Sequence, residues 1–217
     1  DIHEIDYEMT LFRTITAEEE AARAIFLALK EKHYENAKKI KDQQHVYKQG
    51  LYPFMDAVSR FLQKTSQMER FPFGPNYNLS VADEGGKKGL RLHLEMQDGR
   101  WATPIPPLHF SVSMNNETYL FDHEFEEIAS EHNKDVMREY IKDTAGLRNH
   151  LIYASDKGVP HLEGDMSKIL LSKQNKIFTM LRVLCLMYPY KEKALFVQQS
   201  LNAFLYMMGD IENSIYI

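Results

Sequence analysis

The segment NYNLSVADEGGKKGLRLHLEM, Asn76 to Met96, alternates apolar and polar side chains on both sides of Gly85-Gly86. A period of two places alternate residues on opposite faces of an extended strand. Leu90, Leu92, Leu94 and Met96 then share one face, and Arg91, His93 and Glu95 share the other. Two adjacent glycines supply the positive φ values that a two-residue hairpin turn requires. The segment therefore predicts a β-hairpin. DEGGKKG also carries glycines and lysines, as phosphate-binding loops do, but strands flank it where such a loop needs a strand and a helix. Downstream, DGRWATPIPPLHFSVSMNNETYLFD adds turn signals at Asp98-Gly99 and Asn115-Asn116. Pro104 to Pro107 (PIPP) cannot occupy a central strand. The expectation is a small antiparallel sheet of three to five strands over residues 70–122.

On both sides the period changes to that of a helix. Upstream, Thr16 and Glu19 have capping-box spacing, and Glu18, Glu19 and Glu20 suit the positive end of a helix. Ala22, Ile25, Phe26 and Leu29 follow at helical spacing, which predicts a helix from Thr16 to about Lys41. A second is expected after Gly50, with Met55, Val58, Phe61 and Leu62 on one face and Pro53 in its first turn. Downstream, Phe125, Ile128, Val136, Met137, Tyr140 and Ile141 predict one helix ending near Gly146. Gly158-Val159-Pro160 marks a break. Met166 to Met187 predicts the most apolar helix, stopped by Pro189, and Ala194 to Met208 the last. The chain thus reads as a single domain over 1–217: mainly α with some β, helical over 14–68, a β insertion over 70–122, helical again over 123–209. The two helical halves pack as one bundle with the sheet projecting from it.

Composition narrows the function classes. Hydrophobic residues make up 44% of the 217 and charged residues 26%, ordinary values for a globular protein. The formal net charge of -5 supplies no global basic field, so contact with nucleic acid has to be local. Cys185 is the single cysteine, in the apolar stretch MLRVLCLMYPY; it excludes an intrachain disulfide and a thiolate metal cluster, and reads as a buried thiol. No apolar run approaches the roughly 18 residues of a membrane span. The expectation is a cytoplasmic protein without membrane association.

Nine histidines are scattered along the chain. DHEFEE, Asp122 to Glu127, is dense in metal-ligating types but lacks a ligand spacing, and reads as a solvated helix start. LHFSV (Leu108 to Val112) resembles half of a paired His-x-Ser/Thr phosphoesterase element, but LHLEM has Glu95 where its twin needs a hydroxyl. There is no Gly-x-Ser-x-Gly elbow, so acyl chemistry on a serine is not expected. No cofactor and no resident metal is implied.

Two stretches remain: LRNHLIYASDKGVP, Leu147 to Pro160, and TAEEEAARAIFLALKEKHYENAKK, Thr16 to Lys39. Arg148 can clamp a phosphate bidentately, and Asn149 can orient it. Together these stretches resemble the HEPN superfamily of helical, usually dimeric domains, many of them metal-independent ribonucleases of toxin–antitoxin, phage-defence and related prokaryotic systems. The family signature is an arginine, commonly followed by asparagine, then a histidine four to six intervening residues after the arginine, at the start of a helix in the C-terminal half. Arg148-Asn149 matches its opening, and AEEEAARAIFLALK is similar to the acidic, Ala-rich N-terminal helix of many members. The resemblance covers the helical regions and leaves the β segment aside.

This chain departs from the signature at one position. Tyr153 stands where the family's histidine lies; His150 is too early and His161 too late. Activating a ribose 2′-hydroxyl needs a base poised near neutral pH, and an unperturbed phenol titrates near pH ~10. The resemblance therefore implies a homodimeric interaction module of a prokaryotic stress or defence type, with a protein partner, or with RNA or a nucleotide held through Arg148. Asn149, His150 and Tyr153 would support Arg148, and Glu19 and Glu20 would orient it. Two alternatives are a metal-independent HEPN-type endoribonuclease using Arg148, Asn149, Tyr153 and His150, and a metal-dependent hydrolase using histidines of the β region.

Overall fold

The computed structural model of the chain describes residues 7–66, 72–114, 116–152 and 165–210; of residues 7–8, 144, 147–152 and 166 it describes the backbone alone. The elements run α1 (Tyr7–Glu31), α2 (His45–Thr65), β1 (Phe73–Glu84), β2 (Lys87–Met96), β3 (Trp101–Ala102), β4 (Ser113–Met114), β5 (Glu117–Thr118), α3 (Asp122–Glu131), α4 (Met137–Ile152), α5 (Met166–Met187) and α6 (Leu195–Met207). The protein is therefore mixed α and β, mainly helical, with the sheet between two helical halves.

Helix α1 is already helical at Tyr7, so Thr16 is not its cap. The Thr16 hydroxyl instead donates to the Phe12 carbonyl one turn earlier, at 2.9 Å. The reason is tertiary. Leu11 and Ile15 are buried, with Ile169 of α5 packed against them, and burial of such side chains outweighs a local cap of about 1 kcal/mol. The helix also stops before Lys41. His33 adopts φ 55°; its amide donates to the Lys30 carbonyl at 3.0 Å and the Tyr34 amide to the Leu29 carbonyl at 3.1 Å. That pair of bonds is a Schellman stop, closed by the apolar residues Leu29 and Tyr34. A short 3-10 turn, Ala37–Lys39, follows.

Helix α2 begins before Gly50 and holds Pro53 in its interior rather than its first turn. An interior proline costs about 3 kcal/mol. The turn ahead of it persists because Lys48 and Gln49 are buried against Glu19 of α1. Gly50 lies where Ile141 and Met208 close in, and a Cβ there would stand 3.3 Å from Ile141 Cδ1.

The single helix expected over 125–146 is two. Asn133 takes φ 55°, and the Lys134 amide donates to the Ala129 carbonyl at 2.9 Å, a second Schellman stop. Nor does Gly146 end α4, which continues to Ile152. A mid-helix glycine costs only about 1 kcal/mol, less than the packing of α4 against α1, α2 and α3 returns. Arg148, Asn149 and His150 consequently lie within a helix that begins at Met137, not at the start of one. Helices α5 and α6 match their expected bounds closely; the Asp165 carboxylate caps α5 by accepting from the Lys168 amide at 3.2 Å.

In the sheet the strand order is β1-β2-β3, with β4 and β5 forming a separate two-stranded ribbon. The hairpin turns on Gly85 (φ 61°) and Gly86 (φ 82°), in register Glu84↔Lys87 to Tyr77↔Leu94. The Asp83 carboxylate accepts from the Gly86 amide at 3.1 Å. The hairpin does not stand clear of the bundle. Gly89 abuts Pro189, and the Tyr190 hydroxyl donates to the Leu90 carbonyl at 2.9 Å.

The core lies among all six helices, with Met180 and Met187 of α5 buried in it. Phe54 of α2 meets Phe121 and Phe204 edge to face, with centroids 6.2 and 5.6 Å apart. Gln199 of α6 is buried and ties in the irregular segment before α3. Its amide oxygen accepts from the Val112 amide at 2.9 Å, and its nitrogen donates to the carbonyls of Val112 and Tyr119, both at 2.8 Å. A side-chain amide here does the work of a neighbouring strand.

Candidate functional site

The acidic run of α1 is the polar centre of the bundle. Glu18 and Glu19 are almost wholly buried. Consecutive helical positions point about 100° apart, and each carboxylate is met by a different helix. Glu18 accepts from the Lys173 ammonium of α5. Glu19 lies 3.1 Å from the Lys48 ammonium of α2, 2.7 Å from Nδ1 of His45 and 3.3 Å from the Gln49 amide nitrogen. Glu20 is exposed, 3.6 Å from Arg23 and 3.9 Å from Lys48. The triplet is thus not a solvated first turn. Glu18 and Glu19 form a buried ionic junction of α1, α2 and α5, with Glu20 at its exposed edge.

Next to it, Lys176 of α5 stands 4.6 Å from the centroid of the Tyr52 ring. Burial pushes its pKa down, Glu18 pulls it back up and Lys173 pushes it down further. Sequence reading missed Lys48, Lys173 and Lys176. No local signal marks a lysine as buried, since most are solvated.

Helix α4 packs against both α1 and α2. This brings the backbone of Arg148, Asn149 and His150 into the same helical assembly as the acidic run. Their side chains, and Tyr153 and His161 entirely, lie outside the described residues. The expected pairing of Arg148 with Glu19 or Glu20 therefore falls outside them as well.

The remaining histidines have separate neighbours. His93 accepts or donates between Ser80 Oγ, 2.8 Å from its Nε2, and Thr103 Oγ1, 2.9 Å from its Nδ1, in a polar cross-strand ladder. His123 lies 3.2 Å from Glu127, and His132 stacks on Tyr140 at 3.9 Å. Among the described residues no group of three or more His, Cys, Asp or Glu side chains is placed to hold a metal ion. The DHEFEE stretch does begin a helix, but Glu124 is buried rather than solvated and accepts from the Tyr119 hydroxyl at 2.9 Å. Burial, with Glu124 adding to it, raises the Tyr119 pKa. Cys185 is half-buried, not enclosed. Among the described residues no helix is long and apolar enough to cross a membrane.

No family model, curated protein or solved structure matches this chain.

Proposed function

We propose that the chain is a HEPN-like interaction module that forms a homodimer and binds RNA or a nucleotide phosphate through Arg148, without cleaving it. One observation carries this reading: both buried carboxylates of α1 are neutralised by lysines of other helices. An acid paired with a buried cation stabilises a helical junction. Both carboxylates are thereby committed to holding helices together. The signature position occupied by Tyr153 supports the same reading, because a phenol is a weak base near neutral pH. The Arg148 guanidinium is a planar, permanently charged fork suited to phosphate.

The test is incubation of the full chain with total RNA, with and without chelator, alongside Arg148→Ala. The expected result is intact RNA, salt-sensitive binding weakened by Arg148→Ala, and a dimer on size-exclusion with light scattering. Arg148-dependent cleavage that ignores chelator would instead establish a metal-independent endoribonuclease. Cleavage abolished by chelator would point to metal-dependent chemistry.

A further inference from the structure

The apolar face of the hairpin and the helices behind it do not close on one another. Between them lies a cavity of about 580 Å³, within the range of small-molecule sites, about 300–1,000 Å³. The sheet contributes the register pairs Leu79↔Leu92 and Tyr77↔Leu94. Helices α2, α5 and α6 contribute apolar side chains that include Leu62 and Val183. Water in such a space finds few polar partners, so an apolar occupant gains the free energy of leaving solvent.

Two features specify the occupant further. Arg182 of α5 lines the cavity and is also exposed, so it stands where the cavity meets solvent. Among the described residues Arg182 makes no hydrogen bond or ion pair. The carboxylate in the lining, Asp56, is already held by Arg60 at 3.0 Å. Arg60 also grips Glu131, and Arg182 is the cation of the lining that no described carboxylate holds. Thr179, one turn before Arg182 on α5, lines the same cavity and adds a hydroxyl.

We infer that this cavity is a binding site for a single-chain anionic amphiphile of the fatty-acid class, with its alkyl chain between hairpin and helices and its carboxylate on Arg182. The alkyl chain lies against Leu79, Leu92 and Leu94 on one side and the helices on the other. Arg182 meets the carboxylate with a charge-assisted, forked pair of hydrogen bonds.

Titration calorimetry of the full chain tests this with dodecanoate, tetradecanoate, dodecan-1-ol and dodecyltrimethylammonium, each below its micellar concentration. Dodecanoate binds saturably at one site, and each added methylene tightens binding about fourfold until the cavity is filled. Arg182→Gln weakens dodecanoate about tenfold and leaves dodecan-1-ol unchanged. Leu79→Trp, which fills the cavity from the sheet, abolishes binding of both. Absence of saturable dodecanoate binding overturns the site. Equal affinity for dodecyltrimethylammonium and dodecanoate, or indifference of dodecanoate to Arg182→Gln, overturns the headgroup assignment. The ligand series on the unmodified chain decides the matter even where Leu79→Trp fails to fold. None of these readouts depends on RNA.

Discussion

Glu19 of α1 and Lys48 of α2 form an ion pair at 3.1 Å with the two side chains only 2% and 8% exposed. Such a pair contributes little over a well-packed apolar pair, but removing one partner leaves a buried charge. Lys48→Met is expected to destabilise the protein by about 3 kcal/mol, because the buried Glu19 carboxylate loses the ammonium that faces it at 3.1 Å. Glu19→Gln combined with Lys48→Met should recover much of that loss. Urea unfolding of the two singles and the double gives the coupling directly; strictly additive losses would mean the pair does not act as a unit.

Gln199 offers a second test. Its three hydrogen bonds hold Val112 and Tyr119 to α6. Gln199→Leu keeps the volume but strands the Val112 amide and the Tyr119 carbonyl, while the Val112 carbonyl keeps the Tyr119 amide at 3.2 Å. The expected cost is about 2–3 kcal/mol, or a fall in Tm of roughly 5–10 °C for a domain of this size. Differential scanning calorimetry measures it; a shift within a degree would show that water replaces the side chain.

The docking of the hairpin depends on Gly89. A Cβ there would lie 2.8 Å from Pro189 Cγ and 3.2 Å from the Cys185 carbonyl oxygen. Gly89→Ala should push the hairpin off the α5–α6 corner and cost about 1–3 kcal/mol. Hydrogen exchange of the β2 amides would report it as faster exchange, confined to the sheet.

Asp42 predicts an acid limb. The Lys30 ammonium that donates to it, with Arg23 3.8 Å away, holds its pKa below the ordinary carboxylate value. A group whose folded pKa is depressed adds stability above its unfolded pKa and loses it as pH falls through the folded one. Urea midpoints measured from about pH 5 down to pH 2 should therefore fall less steeply in Asp42→Asn than in the parent. Parallel curves would remove Asp42 from the acid response.

Lys176 has the opposite linkage. Its pKa is lowered chiefly by burial, so the unfolded chain binds the proton more tightly and stability rises with pH between the folded and unfolded values. Lys176→Met removes the half-buried charge and should raise the urea midpoint at neutral pH while abolishing that alkaline rise. A lower midpoint would mean that the contacts with Tyr52 and Glu18 outweigh desolvation.

The amino-acid sequence by itself determined the elements whose signals are local. The hairpin at Gly85-Gly86 follows from period-two alternation and from glycines that accept positive φ. Helices α5 and α6 follow from apolar spacing, with Pro189 as the stop of the first. The insertion of a sheet between two helical halves follows from where those periods change. Tertiary structure decided where local signals were overridden. Thr16 and Glu19 have cap spacing, yet burial of Leu11 and Ile15 carries α1 past them. Gly146 has the composition of a stop, yet α4 runs on past it and places Arg148 inside a helix instead of at a helix start. The same holds for charge. Glu18 and Glu19 read as acids at the positive end of a helix until α2 and α5 bring Lys48 and Lys173 onto them. The partners lie 29 and 155 residues away along the chain, and no local pattern encodes a contact that exists only once distant helices have packed.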